Sequence, residues 1–513
     1  LDAEAVGQVS TIGRRVSGLP LGIELAAAQM RTLPLREVAA RLDDQVTLLE
    51  TKRGAVPHQR SIVAALDWSY ALLDMADRER LRRLGAFPTG RLPAAAVTHV
   101  LETEEPTSVL SALVDASLVS PPSTDHEVYS MLEPVRQYAA MRLEESGEAE
   151  TMRLRYAEWI VKLCDAAQVA TLEGDLWAAT DMVRSNVPSI AATAAWAADR
   201  AFVDIVNGIV AGAGRLWPRF ADPALLIAPG LRVINEPAGD EMLRLRALAR
   251  LAFLHTPLHA REAQSLLERL EGEAAGDMDL LTRHVVYAAR ASVPYRIQRG
   301  ADADQATLRS WLELDEQAAD AAVAMGYPVE PMLYNRAITL TQAGDLHGER
   351  ECLERLLAWA AEERPMWRGM ALHVLAKRQH LEGQAELGIV SAQEAARLLI
   401  DGGDLDFAAE AEYVLAGICA VEERFDEAAE ALGRVSDYHR QIGLPPPIEE
   451  APDLVAVVAA GLGHWDEFLI AATSFLQRIV SAQDATMREY LLRGEPGATS
   501  HLAQMLSLIH ISE

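Results

Sequence analysis

The chain is poor in lysine, cysteine, aromatic residues and positive charge, and each shortage excludes something. Its 513 residues contain only Lys52, Lys162 and Lys377 as lysines, preceded by Thr51, Val161 and Ala376. A phosphate-binding P-loop needs Gly-x-x-x-x-Gly-Lys-Ser/Thr, because an ammonium must reach the β- and γ-phosphates from a glycine-rich cradle. None of the three lysines stands in that context, and no acidic Walker-B strand is present. Cys164, Cys352 and Cys419 are scattered, without metal-ligand or redox spacing, so reduced thiols and a cytoplasmic location are expected. No apolar run reaches the roughly eighteen residues of a membrane span, and the start is no signal peptide, so no membrane partner is expected. With 47 basic against 75 acidic residues the net charge is −28. That balance argues against direct nucleic-acid contact, which needs clustered positive charge.

What is present favours helix. Half the residues are hydrophobic but only 5% are aromatic, and Ala, Leu, Glu and Arg dominate. The fold class expected is predominantly all-α, in about three domains. Asp2 caps a first helix with Val6, Val9, Ile12 and Val16 on one face. Gly18 ends it and Pro20 starts the next, Leu21–Met30, in a helix–Pro–helix corner. Pro34 opens a third helix with Leu35, Val38 and Leu42 inward. Ile62, Leu66, Tyr70 and Leu73 form another stripe, Leu81 and Leu84 begin the next, and Leu110, Leu113 and Val114 mark a later one. Residues 117–120 and 127–131 read as two short strands joined by the turn Pro121-Pro122-Ser123-Thr124-Asp125.

Beyond Glu148 helix follows helix, and from about Gly326 a repeat emerges. Leu346, Leu387, Phe425 and Trp465, each at a turn between paired helices, are spaced by 41, 38 and 40 residues. That is a solenoid period, longer than the 34 residues of a tetratricopeptide. In the third unit Leu415, Ala416, Phe425, Ala428 and Leu432 take the apolar positions, and Trp465 is expected to be a buried anchor like Phe425. Pro445-Pro446-Pro447 makes a stiff break. The last seven residues, 507–513, fit no repeat and are expected to be dispensable. The chain begins at Leu1, without methionine and inside a helix, which suggests a fragment.

Conventional catalysis finds little support. The thirteen histidines are dispersed, and neither His-Glu-x-x-His nor Gly-x-Ser-x-Gly occurs. His255 and His259 stand four apart, but Pro257 interrupts them and no third ligand is evident, so no metal site is expected. Glu144-Glu145 and Glu362-Glu363 read as solvated faces. No catalytic residue is assigned, and this chain is not expected to be an enzyme.

Three ordered segments carry a resemblance. Gly18-Leu19-Pro20-Leu21-Gly22-Ile23-Glu24-Leu25-Ala26-Ala27-Ala28 resembles the GLPL motif of NB-ARC-type STAND ATPases and its bacterial extension. His58-Gln59-Arg60-Ser61-Ile62-Val63-Ala64-Ala65-Leu66-Asp67-Trp68-Ser69-Tyr70-Ala71-Leu72-Leu73 and Met131-Leu132-Glu133-Pro134-Val135-Arg136-Gln137-Tyr138-Ala139 resemble later segments of the same bacterial regulators, SARP-like or LuxR-type. The stretch Trp177–Trp196 resembles the segment that follows them.

The resemblance implies an organisation. Residues 1–46 would end the nucleotide-binding module, 47–147 would form a winged helix, and 148–325 a helical region with early degenerate repeats. Residues 326–500 would form a TPR-like α-solenoid, and 501–513 a non-native or disordered tail. It also implies that Leu19 and Pro20 face the adenine of ATP or ADP in the intact parent, while this chain alone holds no cofactor. Where many relatives carry Met-His-Asp, this chain has Met131-Leu132-Glu133, so Leu132 lacks the imidazole that would touch the ADP phosphate. The implied function is the sensory part of a STAND transcriptional regulator. Its partners would be an N-terminal nucleotide-binding module and an effector or protein on the repeats. Alternatives are the regulatory region of a STAND-coupled cyclase or kinase, and a plain repeat scaffold.

Overall fold

The computed structural model describes residues 8–10, 12–13, 20–30, 33–38, 57–122, 127–236, 238–256, 259–274, 276–298 and 303–481. They fall into two compact units, residues 1–160 and 161–513. Among the described residues the protein is predominantly helical, with a single two-stranded sheet.

In the first unit, α1 (Pro20–Gln29) packs against α2 (Pro57–Leu72). Proline at the first position of α1 loses no hydrogen bond, since that N–H has no helical acceptor. Asp74 caps α3 (Met75–Leu84) by accepting from the Asp77 N–H at 2.8 Å. Strand β1 (Arg91–Pro93), α4 (Ala94–Leu101) and α5 (Pro106–Asp115) lead to β2 (Val128–Ser130) and α6 (Glu133–Ser146). Leu81, Leu84, Phe87, Leu92, Val97, Leu110, Leu113 and Leu143 fill the core. Gly85 permits the close meeting of α3 with α6, because a Cβ there would lie 2.4 Å from the Ala140 nitrogen.

The sheet corrects the expected hairpin. β2 pairs antiparallel with β1, Leu92 opposite Tyr129, while residues 117–120 supply only an isolated bridge from Ser120 to Ser130. The reason lies in the end of α5. The N–H groups of Leu118 and Val119 both donate to the Leu113 carbonyl, at 2.9 and 3.2 Å, so they are spent closing the helix. Pro93 is the last residue of β1. It is tolerated at the end of a strand, where the ladder needs no further donor. The turn residues 123–126 lie outside the described set.

Helix α7 (Ala149–Glu173) contains the division between the units. The second unit continues with α8 (Leu176–Arg184), α9 (Val187–Asp199), α10 (Val203–Ala213), a 3-10 turn (Trp217–Arg219) and α11 (Ala224–Val233). Six helical hairpins follow: α12 (Glu241–His255) with α13 (Ala260–Glu273), α14 (Leu280–Gln298) with α15 (Gln305–Ala324), and α16 (Glu330–Ala343) with α17 (Leu346–Ala360). Then come α18 (Pro365–Leu381) with α19 (Ala385–Asp401) and α20 (Leu405–Val421) with α21 (Phe425–Ile442). After the short α22 (Pro447–Glu450), α23 (Pro452–Gly461) pairs with α24 (Trp465–Ser481). The pairing thus reaches back to Glu241. First helices of successive hairpins also touch, α10 on α12, α12 on α14, α16 on α18, α18 on α20 and α20 on α23, forming an inner layer. No described helix is long and apolar enough to cross a membrane.

The repeat turns stand where the 38–41-residue spacing put them, but the anchor expected among them does not. Leu346, Phe425 and Trp465 each open the second helix of a hairpin, and Leu387 lies in the first turn of α19. Trp465 is 46% exposed and Phe425 is only partly buried. Side chains lean toward a helix's N-terminus, so one at the first position overhangs the turn instead of entering the hairpin interface. The buried residues lie about one turn later, at Glu349, Ile389, Ala428 and Phe468. Phe468, 6% exposed, joins Leu415, Ile418, Ala431 and Leu432 in the core cluster of the last hairpins. Truncating Phe468 to alanine is therefore expected to cost about 3–5 kcal/mol in chemical unfolding, and Trp465→Ala about 0.5 kcal/mol. A larger loss for Trp465→Ala would restore it as the anchor.

Candidate functional site

The segments behind the resemblance meet in the first unit. Tyr138 on α6 donates its hydroxyl to Asp67 Oδ1 on α2 at 2.7 Å. Arg142, one turn further along α6, donates from Nε to the Tyr138 oxygen at 3.0 Å and ion-pairs with Asp67. Its guanidinium also lies over the Tyr70 ring, 5.5 Å from the centroid. Burial and the Asp67 carboxylate push the Tyr138 phenol up, so it stays a donor at neutral pH. This assembly clamps two helices and exposes no chemistry of its own.

The residues that resemblance places near nucleotide are less defined. Leu19 lies outside the described residues, and Pro20 is the first residue of α1. Met131 is buried and donates its N–H to the Gly90 carbonyl at 2.7 Å. Leu132 is 51% exposed at the N-cap of α6 and makes no side-chain capping bond. Glu133 is held down to about 2 by the Arg136 guanidinium at 2.6 Å. The start of α6 thus offers an exposed leucine followed by a paired carboxylate, with no imidazole.

In the second unit, the segment before the hairpins folds against the later ones. Arg219, in the 3-10 turn, forms a buried ion pair with Asp404, 185 residues away, and lies 4.9 Å from the Phe407 ring centroid. Asp404 also caps α20, accepting from the Phe407 N–H at 3.2 Å. Burial pushes its carboxyl up to about 6 against the pull of Arg219. Nearby, Trp367 Nε1 donates to the Gly174 carbonyl at 3.0 Å. A cleft of about 230 Å³ opens beside that bond, lined by Asp175, Trp177, Arg364, Met366 and Trp367 among others.

No family model matches the chain. A candidate HTH-type transcriptional regulator of Mycobacterium tuberculosis strain H37Rv is 31% identical over 325 residues, which cover 57% of this chain and 36% of the relative. Its counterpart in Mycobacterium bovis matches equally. This chain is a homologue of candidate transcriptional regulators. An uncharacterized M. tuberculosis protein is 36% identical over 163 residues, 30% of this chain and 42% of that protein. The chain spans less than half the length of these relatives. Among solved structures, a STAND protein with a tetratricopeptide repeat sensor from Pyrococcus horikoshii overlaps 92% of this chain and 74% of its own, with a TM-score of 0.42 and 15% identity.

Sequence reading of this regulator homologue missed the Arg219–Asp404 contact, since nothing in a linear pattern pairs residues so far apart. The one available signal was an arginine in an otherwise apolar, aromatic stretch, Leu216-Trp217-Pro218-Arg219-Phe220. The His255 and His259 rings lie 6.2 Å apart, centroid to centroid. The His255 ring nitrogen Nδ1 meets the Leu251 carbonyl at 2.7 Å inside the core, whereas His259 is exposed beyond the end of α12. No group of three metal-ligating side chains occurs among the described residues.

Removing one member of the buried ion pair leaves the other charged and uncompensated. Asp404→Asn, which keeps the cap, is expected to lose about 3–5 kcal/mol in urea unfolding. The double variant Arg219→Met/Asp404→Asn is expected to lose less than the two single variants added together, and a loss equal to that sum would show that the pair is not coupled.

A second buried carboxyl gives a pH signature. Burial raises Asp315 from its ordinary 3.8 to about 7, against the pull of Arg336 and Arg215. The folded state therefore holds this proton more tightly than the unfolded chain. The resulting stability is complete below pH 3.8 and is lost as pH rises toward 7. Wild type should accordingly lose stability relative to Asp315→Asn across that window in thermal unfolding. A difference that does not change with pH would show that Asp315 does not titrate there.

Proposed function

We propose that this chain is the regulatory portion of a STAND-type transcriptional regulator, in which the hairpin array senses an effector or protein partner. The observation that carries this reading is the meeting of Asp67 and Tyr70 with Tyr138 and Arg142. Two segments that resemble those of bacterial STAND regulators, about seventy residues apart, form one hydrogen-bonded clamp. The homology to candidate transcriptional regulators supports a transcriptional output over a cyclase or kinase.

In this reading residues 47–147 form the winged helix, residues 326–500 a TPR-like sensor that the hairpin pairing extends back to Glu241, and Leu19 and Pro20 close a nucleotide site on an N-terminal module. ATP or ADP binds that module in the intact parent. This chain lacks the P-loop lysine and does not catalyse hydrolysis. Effector binding shifts the array between packed arrangements and biases the nucleotide state, as a ligand with different affinities for two states must. The protein works in the cytoplasm and leaves DNA contact to another part of the parent.

The test is ADP release from the intact parent, measured with a fluorescent analogue, with and without residues 161–513. Deletion is expected to change the release rate at least tenfold, matching a coupling free energy of about 1.4 kcal/mol. An unchanged rate would sink the sensor reading. So would sub-micromolar ATP binding by this chain alone, which would place a complete nucleotide site here.

A further inference from the structure

The second unit carries an open indole beside an acidic rim. Trp177, in the first turn of α8, is 53% exposed and lines the cleft of about 230 Å³ that the start of α8 shares with the start of α18. The walls of this cleft are held within the chain. Gly174, at φ 87°, turns the chain from α7 into α8, and a Cβ there would lie 2.4 Å from the Trp359 ring. Trp359 meets Trp367 edge-on at 6.2 Å, and Trp367 Nε1 donates to the Gly174 carbonyl at 3.0 Å. Two turns joined by a bond between residues 193 positions apart are thereby fixed face to face.

One cation already shows what this surface accepts. The Arg364 guanidinium lies 4.3 Å from the Trp359 ring centroid and donates to the Trp359 carbonyl at 3.2 Å, so it is engaged within the chain. Trp177 carries no such cation among the described residues. Glu173, Asp175 and Glu363 line the same cleft against the single Arg364. Asp175 spends one oxygen capping α8, while Glu363 is 85% exposed and meets Arg364 only at 3.7 Å. An indole face attracts a cation, and a guanidinium suits this site better than an ammonium. It is planar, weakly hydrated, stacks on aromatic rings and presents a fork of N–H groups to carboxylates. The volume also limits the occupant, because pockets for drug-sized molecules run to about 300–1,000 Å³ and this cleft has room for one side chain.

We propose that this cleft receives one arginine side chain from an extended segment of a protein partner. The guanidinium stacks on Trp177, and the rim carboxylates of Glu173 and Glu363 supply its counter-charge. Three carboxylates against one arginine give the cleft a net negative rim, which selects a basic segment over an acidic one. Walls already fixed by Gly174, Trp359 and Trp367 spare the cost of ordering them on binding. The binding site stands on the geometry of the cleft, whereas its use as the signal that the array senses rests on the sensor reading above.

Fluorine NMR of the full chain labelled with fluorotryptophan tests the site without the nucleotide module. The Trp177 resonance is assigned by its loss in Trp177→Phe, a change at an exposed ring. The probes are the acetylated, amidated peptide Gly-Gly-Arg-Gly-Gly, the same peptide with lysine or citrulline at its centre, and free arginine, all at physiological ionic strength. The arginine peptide is expected to shift the Trp177 resonance saturably and to bind about threefold or more tighter than the lysine and citrulline peptides. The double variant Glu173→Gln/Glu363→Gln alters only exposed side chains, so the fold persists, and it is expected to weaken binding about threefold or more. No shift at Trp177, equal binding of the lysine or citrulline peptide, or unchanged affinity in the double variant would each overturn the assignment. Tighter binding of free arginine would overturn the protein partner in favour of a small molecule. Peptide binding with an unchanged ADP-release rate would keep the cleft and remove its sensory use, whereas coupled release without peptide binding would keep the sensor and overturn the cleft.

Discussion

The second unit depends on a single carboxylate. Asp404 has no exposed surface, and its two oxygens serve two structures at once. One oxygen caps α20 through the Phe407 N–H, and the other holds Arg219 from a turn 185 residues earlier. Around this contact the packing is specific. Phe407 lies against the Arg219 guanidinium and meets Tyr334 edge-on at 5.5 Å, while the Trp217 Nε1 donates to the Asp222 carbonyl at 2.9 Å. A buried ion pair adds little net stability, because desolvation offsets most of the attraction. Its effect here is positional: the pair fixes the turn that carries Arg219 against the start of α20.

The rest of the array is built from weak, numerous contacts. Ala408, Ala411, Ala416, Ala420, Ala428 and Ala431 are all buried at helix interfaces of the later hairpins. An alanine removes little apolar area from water, so such a core gains its energy from close approach and dense packing instead of bulky side chains. That explains how a chain with only 5% aromatic residues sustains so many helices. The negative charge also has structural employment. Asp175, Asp240, Asp304 and Asp345 each accept a backbone N–H at 2.7–3.0 Å at the start of a helix, where carboxylates satisfy orphan donors and oppose the helix dipole.

What could be read from sequence followed the range of the interaction. Helical stripes such as Leu66–Leu73 and Leu110–Leu113, and the repeat turns near 345, 384, 424 and 464, depend on neighbours within one or two turns and were legible. Trp465 was misjudged by a single turn, since hydrophobicity marks that a residue belongs to a repeat but not which way its side chain leans. The pairing of β1 with β2 was hidden because it depends on how Leu118 and Val119 spend their N–H groups at the end of α5. The Asp67–Tyr138–Arg142 clamp was visible only as two motifs. Nothing in periodicity says that residues 67 and 138 are neighbours. Arg219–Asp404 left almost no trace, because a buried ion pair joins residue types that composition assigns to the surface.

Arg250 presents the converse of Asp404. Both are fully committed to the interior, and each sits where an apolar residue would be simpler to accommodate. Asp404 is compensated within the chain, and its compensation fixes the packing. The charge that acts on Arg250 is the like charge of Arg246. Burial and Arg246 pull its guanidinium down to about 10, which measures the same conflict from the side of the proton. Its stem nevertheless packs, with Gly214 set against the Arg250 Cβ and Cγ. The two residues differ in one physical respect: the charge of Asp404 is met by Arg219 across the chain, whereas the apolar stem of Arg250 is buried and the charge acting on its head is the like charge of Arg246.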